Sequence, residues 1–129
     1  MISFVVRGTP RSHQAKKSKK HWMQQVRESA PASAELLDGA LRLRIDFFFE
    51  GVTDLDSDNI IKPIQDALEE IIYMDDSSIV DVCSRKINRS AMPRLVDAPA
   101  PLLRTLAEDF DGDFVLIRVS NAFDQVTFR

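Results

Sequence analysis

The sequence predicts an α+β fold, a small mixed β-sheet flanked by helices, and three features carry that expectation. Leu41–Phe49 alternates apolar and polar residues for most of its length, the period-two signature of a strand. From Ile60, apolar residues recur at Ile64, Ala67, Leu68 and Ile71, the spacing of one buried helical stripe. Strand-like and helix-like segments then alternate along a chain of 129 residues, an order that fits an α+β or mixed α/β domain. With 44% hydrophobic residues, the chain is long enough for one core and short for two, so residues 1–129 are read as a single domain.

Taken in order, Ile2–Val6 is a β-branched and aromatic run closed by the turn residues Gly8-Thr9-Pro10, hence a first strand. A polar, basic loop follows from Arg11 to Lys20. Lys20–Ser29 is the first predicted helix, with Trp22, Met23 and Val26 toward one side, and Ala30-Pro31-Ala32 breaks it. Leu41–Phe49 is the second strand, one face apolar and one charged. Gly51–Ser57 is a loop rich in aspartate, and the next helix starts no earlier than Asp58 or Asn59, because Pro63 is tolerated only in a first turn. Tyr73–Ser77 connects to a strand over Ser78–Asn88. Ala98-Pro99-Ala100-Pro101 precedes a short helix over Leu102–Glu108, and Phe114–Val119 is the last strand.

Composition excludes several classes of function. Cys83 is the single cysteine, so no internal disulfide forms, and a reducing, cytoplasmic setting is expected. His13 and His21 are the two histidines; with so little sulfur they cannot complete a Cys/His zinc site, and any metal must be held by oxygen. No apolar stretch approaches the length of a membrane span, and no secretory signal is visible at the N-terminus.

Charge is segregated. Met1–Arg27 holds seven basic residues and no acidic one, whereas Asp46–Asp81 holds eleven acidic residues and one lysine, Lys62. A basic arm of Arg11, Lys16, Lys17, Lys19 and Lys20 suits phosphates, and an acidic centre suits cations. A solvated basic turn and a solvated acidic loop account for the same counts, and a pI near 5.3 runs against a typical DNA-binding domain.

The acidic centre is where chemistry concentrates. Asp54, Asp56 and Asp58 lie within five residues with no cation among them, and carboxylates so placed repel one another unless solvent or a divalent cation relieves them. Mg²⁺ suits such a group, being a hard ion that takes a few carboxylates and keeps waters and phosphate as its other ligands. An EF-hand beginning at Asp54 fails, because it needs glycine and glutamate where Asn59 and Gln65 stand. Lys62 is poorly placed for helix stability. It opposes the macrodipole in a first turn, and it precedes Asp66 in the weaker ion-pair orientation. A role beside the aspartates, stabilising charge on a phosphate, explains it better than a snorkelling surface lysine does. Asp75 and Asp76 form a second acidic pair after the helix, where the dipole again disfavours them. Arg85 and Lys86 stand ten residues on, as compensating cations or as part of a DNA-facing edge.

Asp56-Ser57-Asp58-Asn59, Lys62, Asp66-Ala67-Leu68, Tyr73-Met74-Asp75-Asp76-Ser77 and the later Lys86 closely resemble the pattern of the RusA family of Holliday-junction resolvases. The N-terminal strand ending at Gly8-Thr9-Pro10, with a basic loop behind it, is similar to the family's opening. The resemblance implies a RusA-like fold and a Mg²⁺-dependent endonuclease, with Mn²⁺ as a substitute, that cuts four-way DNA junctions by paired symmetric nicks in recombination and repair. It implies that Asp56, Asp58 and Asp76 are the catalytic, metal-binding carboxylates and Lys62 an active-site cation. Asp75, Asn59 and Asp66 are implied as supporting residues around them. The family acts as a homodimer. Two departures stand out: Glu70-Ile71-Ile72 occupies a connector where glycine is common in the family, and Ser78 stands where glutamine is frequent. A junction-binding protein that does not cut, and a nuclease preferring other branched DNA, are the alternatives. The motif also poses a geometric problem. A helix from Ile60 to Ile72 would be ~18 Å long and would separate Asp56 and Asp58 from Asp76. Completion of each site across the dimer is favoured slightly over a sharp fold-back of the chain.

Overall fold

The computed structural model describes residues 1–12, 16–32 and 35–128. Four strands form one sheet: β1 (Ile2–Arg7), β2 (Leu41–Phe49), β3 (Ile79–Asn88) and β4 (Phe114–Asn121), in the order β1-β4-β2-β3. β4 runs antiparallel to β1 and to β2, whereas β2 and β3 are parallel, so the sheet is mixed. Three helices, α1 (Lys16–Ser29), α2 (Ile61–Leu68) and α3 (Ala100–Ala107), flank it. The α+β expectation holds, with the predicted order of strand and helix.

The alternation in β2 sets the two sides of the sheet. Leu41, Leu43, Ile45 and Phe47 are buried together with Trp22 and Val26 of α1 and with Ile60, Ile64, Ala67 and Leu68 at α2. Full burial of an isoleucine or leucine is worth at most about 1.5–3 kcal/mol, so the stripe on α2 is what pins the acidic segment to the sheet. On the opposite side, Phe48, Phe114 and Leu116 pack against Leu102 of α3, and the Phe48 and Phe114 rings stack at 4.7 Å between centroids. The rest of that side is polar, with one departure from expectation: Asp46, read as part of a charged outer face, is buried. Its side chain is 3% exposed and is held by Arg85 Nε at 2.6 Å and Arg118 Nη2 at 3.1 Å.

Several boundaries differ from the sequence reading. α1 begins at Lys16 rather than Lys20, its first turn being polar and so without an apolar signal. Neither Asp58 nor Asn59 caps α2. A 3₁₀ turn, Ser57–Ile60, leads into the helix instead, with Asp56 at its N-terminal boundary. The helix ends at Leu68, not near Ile72, because Glu69 turns to extended backbone and Glu70 adopts a left-handed φ of 66°. Ile71 and Ile72 donate back to the Leu68 carbonyl, and Glu70 donates to the carbonyl of Tyr73. The chain therefore folds back after a helix of only ~12 Å. Among the described residues, no helix is long and apolar enough to cross a membrane.

Candidate active site

The fold-back carries the acidic connector to the start of α2. The buried Tyr73 locks the return, since its hydroxyl donates to the Gln65 carbonyl at 2.7 Å. Burial, and then the charges of Glu69, Asp76 and Asp66, push its phenol well above the usual range, so it stays a donor. Asp75 caps the following 3₁₀ turn, Asp76–Ser78, accepting from the Ser77 backbone N–H at 3.5 Å and from its hydroxyl at 3.1 Å. Asp76 is left facing α2.

Lys62 lies at the centre of what results. Its ammonium meets Asp66 Oδ1 at 2.9 Å and Asp76 Oδ2 at 2.8 Å. Hydrogen bonds to Asp76 and then Asp66 hold Lys62 above its ordinary value. The hydrogen bond from Lys62, followed by one with Asp75, holds Asp76 below the usual carboxylate range. Glu69 completes the group, and oxygens of Asp66, Glu69 and Asp76 converge to within 4.8 Å of one another. All three are partly exposed, so water and a phosphate can reach them. Their chemistry fits a hard divalent cation, which takes carboxylate oxygens and keeps open positions.

The expected residues are brought together in part. Asp76, Lys62 and Asp66 meet directly, within one chain. Asp56 and Asp58 lie exposed at the 3₁₀ turn just before Lys62, and that turn packs against α2 and β3. They do not join Asp76 in a group as tight as the one formed by Asp66 and Glu69. Asp58, Lys62, Asp66 and Glu69 follow one another at spacings of four, four and three, which puts them along one side of the helical run. Asn59 is exposed on the same turn, its backbone N–H donating to the Asp56 carbonyl. Glu69 is the residue the sequence reading passed over. Its signal was a position three after Asp66, on the same helical side.

The basic residues expected to meet DNA lie before and on α1 and on β3. Arg11, Lys17 and Lys20 are exposed, and the side chain of Lys16, like His13, lies outside the described residues. Lys19 is half-buried on α1. Lys86 is exposed on the edge strand β3, opposite Phe47 and so on the side of the sheet that carries α1 and α2. Arg85, its neighbour, emerges on the other side.

The family model described as endodeoxyribonuclease RusA matches residues 4–96, a span that includes β1, the aspartate turn, α2, the fold-back and β3. No curated protein matches the chain.

Proposed function

The chain belongs to the RusA family of endodeoxyribonucleases, and from that premise we propose that it is a Mg²⁺-dependent nuclease that resolves four-way DNA junctions as a homodimer. The observation that carries this reading is Lys62 held between Asp66 and Asp76, with Glu69 beside them and the motif aspartates Asp56 and Asp58 on the adjoining turn. Asp56, Asp58 and Asp76 are the proposed metal ligands, with Asp66 and Glu69 supporting the same face. A bound divalent cation supplies an acidified water and a counter-charge for the phosphate oxygens. The protein's own work is positional and electrostatic. The carboxylates fix where positive charge sits and can accept a proton from the attacking water. Lys62, kept protonated by its two carboxylate partners, offers a cation to the charge that develops on phosphorus-bound oxygen. Asp75 and Tyr73 hold the return of the chain that brings Asp76 to the site. Exposed Arg11, Lys17, Lys20 and Lys86 are the proposed phosphate contacts beyond the scissile bond, together with Lys16 and Lys19.

Incubation of a synthetic four-way junction with the protein and Mg²⁺ or Mn²⁺ tests the reading. Paired, symmetric nicks are expected, with Asp58→Asn binding the junction and leaving it whole. Saturated junction left intact by the wild-type protein with both metals would remove the proposal in favour of a non-cleaving junction binder, and preferential cutting of flaps or forks would replace the substrate.

A further inference from the structure

The side of the sheet away from α1 and α2 is only half covered. α3 seals the end with Phe48, Phe114 and Leu116, and the rest presents four arginines: Arg42 and Arg44 on β2, Arg85 on β3 and Arg118 on β4. Two aspartates serve all four. Asp81 takes Arg42 at 2.8 Å and Arg44 at 2.9 Å, and Asp46 takes Arg85 and Arg118. Positive charge is therefore in excess on a chain that is acidic overall.

Stability alone does not account for this arrangement. Arg44 and Arg118 are direct cross-strand partners in the β2–β4 register, and like charges so placed are destabilising. The hydrogen bonds are incomplete as well. Among the described residues, Arg85 hydrogen-bonds through Nε alone, on Asp46, and Arg118 through Nη2 alone. Arg118 Nε is buried with no partner among the described residues, although nearly all buried donors in folded proteins are paired. Two open hollows of about 410 Å³ each meet at Arg118, one bordered also by Asp46 and Arg85, the other by Arg42, Arg44 and Asp81. An anion with several acceptor oxygens would satisfy the unpaired donors and relieve the repulsion together, and guanidinium forks match phosphate in geometry.

We infer that this open, arginine-bearing side of the sheet is a second DNA-contact surface that takes phosphodiester groups of a junction arm. The inference rests on the nuclease reading for the identity of the polyanion. Position supports it. Asp81 stands on the edge strand β3, five residues beyond Asp76, so the surface begins at most ~18 Å from the carboxylate site. An arm leaving that site can pass over the β3 edge onto the arginines. This surface is separate from the basic arm of α1, which lies on the opposite side of the sheet.

The test is junction binding by the full chain without divalent metal, followed by fluorescence anisotropy across a range of NaCl. Arg44→Gln and Arg85→Gln should each weaken binding several-fold at moderate salt and lower the slope of log affinity against log salt by about one unit. Arg104→Gln, an exposed arginine on α3, is the charge-matched control and should leave both unchanged. Protection of wild-type Arg44 and Arg85 from phenylglyoxal by the junction, read by mass spectrometry, gives the same answer with no substitution. Unchanged affinity and slope in folded variants, with no protection, overturns the surface even if the junction is cut normally. That result would also be the one seen if an acidic protein were the true occupant. Arginine-dependent binding by a protein that cuts nothing sinks the catalytic reading and leaves the surface standing.

Discussion

Asp46→Asn removes the charge from a carboxylate that is 3% exposed and whose two oxygens take Arg85 and Arg118. Stripping a fully buried ion pair of one partner costs about 3–5 kcal/mol, because the other charge is stranded. Here the partners are not stranded. The side chains of Arg85 and Arg118 are 59% and 29% exposed, so both can recover water, and the loss falls toward that of two charge-assisted hydrogen bonds partly replaced by the asparagine oxygen. About 2 kcal/mol is the expected destabilisation. For a domain of this size that lowers the melting temperature by about 8 °C. Urea unfolding followed by circular dichroism measures it directly. The same change unmasks two guanidiniums, so junction affinity in metal-free buffer should rise while stability falls. A loss under about 0.5 kcal/mol would refute Asp46 as the electrostatic anchor of β2, β3 and β4. A stability loss with unchanged or weaker junction binding would refute its proposed masking of the arginine surface.

Glu70→Gly should stabilise the fold by up to about 1 kcal/mol in the same urea assay, because Glu70 holds a left-handed φ of 66° that a side chain disfavours. Asp81, lowered to about 2 by Arg44 and then Arg42, binds its proton less readily folded than unfolded. Its contribution is thus full above the ordinary carboxylate pKa and lost as pH falls through about 2; Asp81→Asn should flatten the acid side of a stability profile between roughly pH 4 and pH 2. Mixed dimers of Asp56→Asn and Asp76→Asn chains should nick neither strand of a junction once subunit exchange is confirmed, since Asp76 reaches Lys62 within one chain; single-strand nicking would instead mean that sites are completed across the dimer.

Much of the fold was legible because its signals are local. β2 alternates apolar and polar residues from Leu41 to Phe47 and the α2 stripe repeats at helical spacing, so both elements and the core faces of both followed from period alone. The end of α2 did not, since Ile71 and Ile72 continue an apolar pattern that a longer helix would also show. What stops the helix is a left-handed residue and a hydrogen bond from Tyr73, and neither has a periodic signature. Asp46 was misjudged for a related reason. Its position in an alternating strand reads as outward, but its partners, Arg85 and Arg118, lie 39 and 72 residues away, and a pairing at that separation exists only once the sheet is assembled. Glu69 was hidden by its context, as one of two adjacent glutamates at a helix end.

The separation of fourteen positions from Lys62 to Asp76 takes on a physical meaning once the return is seen. Two turns of helix carry the chain away from Lys62, and a tight reversal at Glu69–Ile72 brings it back over nearly the same distance. Tyr73 ties the reversal to Gln65, one helical turn beyond Lys62, so the outward and return paths are held in fixed register. The return thus sets Asp76 against Lys62 at the start of α2 within one chain, while Asp56 and Asp58 stay on the adjoining turn. It also explains why Lys62 tolerates an unfavourable first-turn position. A cost of a few tenths of a kcal/mol against the helix dipole is offset by a cation placed between two carboxylates, one of which arrives only through the fold-back.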